Sequence, residues 1–101
     1  MDIDLLRATC NRGDIKWTIH ALKRIRERKI LANDVVDGIV NGVVIMNYSD
    51  DKPHPSCLIY NGISSRPLHI VASTDGDKAI IITAYIPTHD EWGADFTTRK
   101  E

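Results

Sequence analysis

The sequence has few of the features that mark specialised protein classes. Its 101 residues include two cysteines, Cys10 and Cys57, which are isolated and lack the spacing of a metal site. No apolar run is long enough to cross a bilayer, and the first residues lack the basic-then-apolar order of a signal peptide. We therefore expect a single domain over residues 1–101, with reduced thiols, in the cytoplasm and away from membranes.

Two common kinds of ligand site are also missing from the sequence. It has no HxxxH or CxxC spacing and no cluster of carboxylates, which are the usual signals of a bound metal. It has no glycine-rich loop of the kind that holds phosphate groups. We therefore expect neither a metal nor a cofactor.

Neither sign of charge dominates the chain. The formal net charge is −1, so there is no overall basic field to draw the protein onto nucleic acid. The basic residues are concentrated between Lys16 and Lys29, where Glu27 is the one acidic residue. A local cationic patch of this kind suits a short anionic ligand, a phosphodiester backbone or an acidic partner protein.

The first part of the chain has the apolar spacing of helices. We expect Asp2 or Asp4 to cap the first helix and Thr18 to cap the second, because their side-chain oxygens can accept from free backbone amides. The pair Asn41-Gly42 is a common signal for a helix end. The three predicted helices cover Asp2–Asn11, Thr18 to about Lys29, and Asn33 or Asp34 to Asn41.

After Gly42 the pattern changes to β-branched and aromatic runs separated by turns. Helices followed by strands joined through short turns predict an α+β fold, with the helices packed on one face of a four-stranded, mainly antiparallel sheet. Asp14–Trp17 is read as a short extended link or strand. The four predicted strands are Val43–Tyr48, Ser56–Asn61, Pro67–Ser73 and Ala79–Ile86.

The second helix carries the strongest pattern. At about 100° per residue, Ala21, Leu22 and Ile25 fall on one face and are predicted to join the core. His20, Arg24 and Arg28 line up beside that face as a second stripe, which we call the basic stripe. The simpler interpretation is a solvated helix face whose arginines pair with nearby carboxylates.

Strand alternation places a second set of polar residues. In the third predicted strand, His69 shares a face with Val71 and Ser73, opposite Leu68, Ile70 and Ala72. In the fourth, Tyr85 shares a face with Ile81 and Thr83. If both faces point to the same side of the sheet, His69 and Tyr85 are neighbours on one concave surface.

A series of short motifs runs from about Trp17 to Lys100. They are Trp17-Thr18-x-His20-Ala21, Arg24, Arg28, Tyr48, Pro53-x-Pro55-Ser56, Pro67-Leu68-His69, Thr83-Ala84-Tyr85-x-Pro87 and Trp92. In their order and spacing the sequence resembles the small bacterial family DUF4258, which is similar in size and element order to RelE-like and MqsR-like toxins. The resemblance implies a RelE-like ribonuclease fold and a cognate antitoxin, for which a small zinc-finger protein is one candidate.

RNA cleavage without a metal needs a base for the 2′-hydroxyl, an acid for the leaving 5′-oxygen and a cation for the phosphoryl charge. His69 and His20 suit the proton transfers, and Tyr85 is an alternative proton donor. Arg28 suits the phosphoryl group because its guanidinium donates in a planar fork. The residues expected to bind phosphates or stack on bases are Arg24, Lys23, Tyr48, Trp92, Arg99 and Lys100.

Two functions therefore remain open. The first is a type II toxin that cleaves RNA, either free or on the ribosome. The second is a non-catalytic binding module in which the basic helix contacts an acidic protein, and an exposed apolar strip beside that helix would favour it. Single residues have simpler roles too, because His69 can be a hydrogen-bonded core residue and Trp92 a core plug for the tail.

Overall fold

Helices occupy the first part of the chain and strands the second, with one short strand between the first two helices. The computed structural model describes residues 1–62 and 66–99. Its mixed helix-and-strand content confirms the predicted α+β class. The elements are α1 (Ile3–Asn11), β1 (Ile15–Trp17), α2 (Ile19–Glu27), α3 (Ala32–Asn41), β2 (Val43–Tyr48), β3 (Ser56–Asn61), β4 (Leu68–Thr74) and β5 (Ala79–Tyr85).

The sheet has five strands in the order β1-β5-β4-β3-β2, so the prediction of four strands was wrong. The added strand, β1, has three residues and pairs parallel with β5, with Ile15 opposite Ala79 and Trp17 opposite Ile81. Asp14–Trp17 was predicted to be a short extended link or a strand, and Ile15–Trp17 is a strand. Its place in the sheet was not predicted, because three residues are too few to show a strand pattern. The other pairs are antiparallel, as predicted, and the four longer strands match their predicted ranges to within one residue.

All three helices pack on one face of the sheet, as predicted. Fully buried side chains from the helices, such as Leu6 and Ile39, form one core with Ile59 and Ile70 of the sheet. The α3 helix lies especially close to the sheet at Gly38. A Cβ atom added there would overlap Ile70 Cδ1 and lie 2.9 Å from Asn61 Cβ, so the packing leaves no room for a larger residue.

The helix caps were predicted in part. Asp2 and Thr18 each accept a hydrogen bond from a backbone amide three residues later, as expected. The α3 helix begins at Ala32, before both predicted caps, Asn33 and Asp34, and its N-cap Leu31 makes no side-chain hydrogen bond. The prediction for α3 was therefore wrong, because the chain turns into this helix without a polar cap.

Strand alternation was right for β4 and wrong for part of β5. The side chains of Leu68, Ile70 and Ala72 belong to the core. Those of His69, Val71 and Ser73 point to the opposite face of the sheet. In β5, a register shift leaves Ile82 as an extra residue, because Val71 pairs with Thr83 and Ala72 pairs with Ile81. Ile81 therefore points into the core and does not share a face with Thr83 and Tyr85.

Cys10 and Cys57 are free, as predicted, and both are buried. Burial raises the pKa of Cys57 to about 11, so this thiol stays protonated at neutral pH. No helix in the described ranges is both long and apolar enough to cross a membrane.

Candidate functional site

The face of the sheet opposite the helices, which we call the open face, brings two of the predicted site residues together. Within the sheet register His69 lies directly between Tyr60 and Tyr85. The Nδ1 atom of His69 is 3.1 Å from the Tyr85 hydroxyl, and the two rings are 5.2 Å apart. This pairing confirms the prediction that His69 and Tyr85 are neighbours.

The C-terminal segment of residues 87–99, which we call the strap, folds over this end of the open face. It is a loop rather than a helix, with a single bridge between Trp92 and Arg99. Trp92 is 1% exposed, and its ring stands perpendicular to that of His69 at 4.5 Å. The Phe96 carbonyl lies 2.7 Å from His69 Nε2. His69 is therefore fully covered, with 0% of its surface exposed.

These two contacts decide where the proton of His69 lies. A carbonyl oxygen can only accept, so Nε2 must carry the hydrogen that is donated to Phe96. Nδ1 then has no hydrogen and accepts from the Tyr85 hydroxyl. Burial lowers the pKa of His69, and the bond to the Phe96 carbonyl opposes this effect. Under the strap, His69 is a neutral imidazole with both nitrogens engaged.

Two other predicted site residues, Tyr48 and Arg99, lie close enough to Tyr85 to affect the pKa of its hydroxyl. Burial raises the pKa of its hydroxyl, and the nearby Tyr48 and Glu91 act in the same direction, whereas Arg99 lowers it. The Arg99 guanidinium also lies 5.3 Å above the Trp92 ring, within range of a cation–π contact. Of the predicted set, Lys100 lies outside the described residues.

The strap leaves one polar group without a partner. Trp92 Nε1 is buried and donates to no group in the ranges 1–62 and 66–99. An unpaired buried donor costs about 1–3 kcal/mol. The unpaired N–H of Trp92, the ring that covers His69, therefore destabilises the closed position of the strap.

The basic stripe is not part of this group, because α2 packs on the other side of the sheet. His20 and Lys23 are exposed, and Arg24 pairs with Glu27 at 3.0 Å, as the simpler interpretation predicted. Arg28 connects the two regions, because its guanidinium donates to the Ala84 carbonyl at 2.8 Å. This carbonyl is on the edge of β5 beyond its pairing with β1, immediately before Tyr85.

The α2 helix also exposes apolar side chains. The prediction that Leu22 joins the core was wrong, since it is 46% exposed, and Ile19 is 87% exposed. Only Ala21 and Ile25 of this helix are buried, which leaves a narrow inward face against β5. Ile19 and Leu22 are one turn apart and form an apolar strip beside the basic stripe.

A cavity of about 340 Å³ lies on the open face at the end away from His69. The turn between β2 and β3 forms one wall, and β1, β4 and β5 form the rest. His54 lines this cavity and Phe96 binds His69 through its backbone, and neither residue was predicted to belong to a site. A backbone carbonyl leaves no signal in a sequence, and the cavity walls come from four separate segments. No group of three metal-binding side chains occurs in the part of the chain that the structure describes.

The family model described as "Domain of unknown function (DUF4258)" matches residues 17–86, more than half of the chain. The chain belongs to the DUF4258 family. The matched region of this DUF4258 protein includes His69 and Tyr85 but ends before the strap, so Trp92 and Arg99 lie beyond it. Neither the curated proteins nor the solved structures gave a match to this chain.

Proposed function

We propose that this DUF4258 protein is the RNA-cleaving toxin of a type II toxin–antitoxin pair, with a RelE-like fold and no need for a metal. One observation carries the proposal: a histidine and a tyrosine are hydrogen bonded to each other on the open face of the sheet. An arginine on the strap lies close enough to affect the pKa of that tyrosine. These are the residue types needed for a base, an acid and a cation.

Each step of the cleavage can be assigned to one of these groups. His69 takes the proton of a ribose 2′-hydroxyl through Nε2, after a change of tautomer in which Nδ1–H donates to Tyr85. The 2′-oxygen then bonds to phosphorus while the bond from phosphorus to the 5′-oxygen breaks. Tyr85 stays protonated because burial raises its pKa, and it gives its proton to the leaving oxygen. Arg99 and Arg28 stabilise the charge on the phosphoryl oxygens.

RNA can reach this site only after the strap has moved. In the closed position Phe96 occupies the nitrogen that would act as the base, and Trp92 covers the ring. The unpaired Trp92 Nε1 lowers the stability of this closed position. The substrate is free RNA or ribosome-bound mRNA in the cytoplasm, and a cognate antitoxin such as a small zinc-finger protein keeps the toxin inactive.

Induced expression in a bacterial host, with and without the neighbouring reading frame, tests this proposal. We expect growth arrest and RNA cleavage that the neighbour relieves. A double variant, His69→Gln with Arg28→Gln, should lose both effects while remaining folded, whereas the matched control His89→Gln should keep them. A folded double variant that still arrests growth and cleaves RNA would reject this site.

The apolar strip favours a second candidate, a non-catalytic binding module. Ile19 and Leu22 are exposed next to Lys23 and Arg26, which is the composition of a surface for an acidic amphipathic segment. The double variant Ile19→Ser with Leu22→Ser should then weaken binding of the neighbouring gene product at least tenfold by calorimetry. Unchanged binding would exclude the apolar strip as the contact surface.

A further inference from the structure

The cavity on the open face has an apolar floor and a cationic rim. Ile80 and Ile82 of β5, together with Pro53, supply its apolar surface. Lys16, from the edge strand β1, and Lys52, from the turn between β2 and β3, supply positive charge. At about 340 Å³ the cavity is at the small end of the range of about 300–1,000 Å³ that is usual for small-molecule sites.

The other polar groups of the cavity are already engaged. The Thr18 hydroxyl donates to the carbonyls of β5 and accepts from Ala21, and the Ser73 hydroxyl donates to Pro55. The Asp51 carboxylate accepts from the Ser56 hydroxyl. Thr18 and Ser73 therefore shape the walls, whereas Asp51 keeps its negative charge and Lys16 and Lys52 supply the opposite charge.

The two lysines of the rim have no carboxylate partner among the described residues. The ion pairs found there are Arg12–Asp14 and Arg24–Glu27, neither of which involves a residue of the cavity. Two ammonium groups against the one Asp51 carboxylate leave the cavity with an excess of positive charge above its apolar floor. This favours a ligand that combines an anionic group with a flat, weakly polar body. His54 on the same rim adds a ring that can donate to phosphate or to a base edge.

The position of the cavity relates it to the His69–Tyr85 pair. Ser73, in the cavity wall, follows His69 by four residues on the same strand and the same face. At about 3.3 Å per residue the two positions are about 13 Å apart. One extended ligand chain on the open face can therefore contact both.

We propose that this cavity binds one nucleotide, either a free nucleoside monophosphate or one residue of an RNA chain that continues to the His69–Tyr85 pair. The base lies on Ile80 and Ile82, and the phosphate lies between Lys16 and Lys52. The RNA form rests on the proposed function, whereas the free nucleotide does not.

NMR titration of the full chain with adenosine or cytidine monophosphate tests the proposal, with inorganic phosphate and the matching nucleosides as reference probes. We expect amide shifts at Lys16, Ile82 and the residues around Lys52, and tighter binding of the monophosphate than of either part. The variant Lys16→Gln with Lys52→Gln should weaken monophosphate binding at least tenfold. The matched control Lys78→Gln, an exposed lysine outside the cavity, should bind like the natural protein.

The outcomes separate this inference from the proposed function. Nucleotide binding by His69→Gln, together with loss of cleavage, supports both. Binding without any cleavage by the natural protein removes the nuclease and leaves the nucleotide site. No shift of the cavity residues with either about 10 mM nucleotide or a short oligonucleotide, or binding that the double lysine variant leaves unchanged, overturns the site even if RNA is cleaved. An oligonucleotide that binds while monophosphates do not assigns the cavity to RNA rather than to free nucleotides.

Discussion

Replacing Tyr85 by phenylalanine tests the hydrogen bonds that close the open face. The change removes one hydroxyl, which is the donor to His69 Nδ1 at 3.1 Å. His69 Nε2 is already bonded to the Phe96 carbonyl, so Nδ1 becomes a buried acceptor without a donor. The cost of such a group is about 1–3 kcal/mol of the free energy of unfolding.

The matched control for Tyr85→Phe is Tyr48→Phe. The Tyr48 hydroxyl contacts the Met46 sulfur at a distance of 3.8 Å, which is a weak and exposed interaction. Its removal should change the free energy of unfolding by less than about 0.5 kcal/mol.

Urea unfolding followed by circular dichroism measures both variants. With a slope of about 1–3 kcal/mol per molar, Tyr85→Phe should lower the midpoint by about 1 M and leave the slope unchanged. Equal midpoints for the two variants would refute the hydrogen bond and the tautomer derived from it. Nitrogen-15 NMR of His69 gives a direct check, because Nε2 should carry the proton.

Three further predictions concern stability. Burial lowers the folded-state pKa of His69, so the unfolded chain takes up a proton first, and the natural protein should lose up to about 1.4 kcal/mol per pH unit as the pH falls below about 6.5. Urea midpoints between pH 5 and pH 7 should show this loss, and His69→Gln should reduce it; identical pH profiles would contradict the account. Trp92→Ala should cost about 3–5 kcal/mol, and Trp92→Phe clearly less, because phenylalanine fills much of the site and removes the unpaired N–H. Calorimetric melting separates the two, and the opposite order would rule out this packing. Gly38→Ala should destabilise by about 1–3 kcal/mol because its Cβ would overlap Ile70, whereas an unchanged melting temperature would show that α3 does not approach the sheet this closely.

The sequence was most informative where a local pattern determines the structure. Val43–Tyr48 and Ser56–Asn61 were predicted with the observed bounds because each is a β-branched or aromatic run between turn residues. Alternation also placed His69 and Tyr85 on one face. The extra residue Ile82 lies before Tyr85, so that part of β5 keeps the register with β4 while Ile81 turns inward.

The sequence was least informative where contacts join distant segments. The strand β1 is short, and Ala79, the parallel partner of Ile15, is more than sixty residues away. The rule that consecutive strands pair as hairpins therefore does not predict the pairing of β1 with β5. The strap position depends on the Phe96 backbone carbonyl and on packing by Trp92. The exposure of Leu22 follows from how α2 sits on the edge of β5, which the helical period does not reveal.

The activity proposed for the open face is RNA cleavage through His69 and Tyr85. The most direct test is incubation of the purified protein with a defined RNA in the presence of a chelator, followed by analysis of the product ends. Attack by the 2′-hydroxyl should give 2′,3′-cyclic phosphate and 5′-hydroxyl ends, which His69→Gln should no longer produce. Intact RNA after release of the strap by Trp92→Ala, in a protein that is still folded, would contradict it.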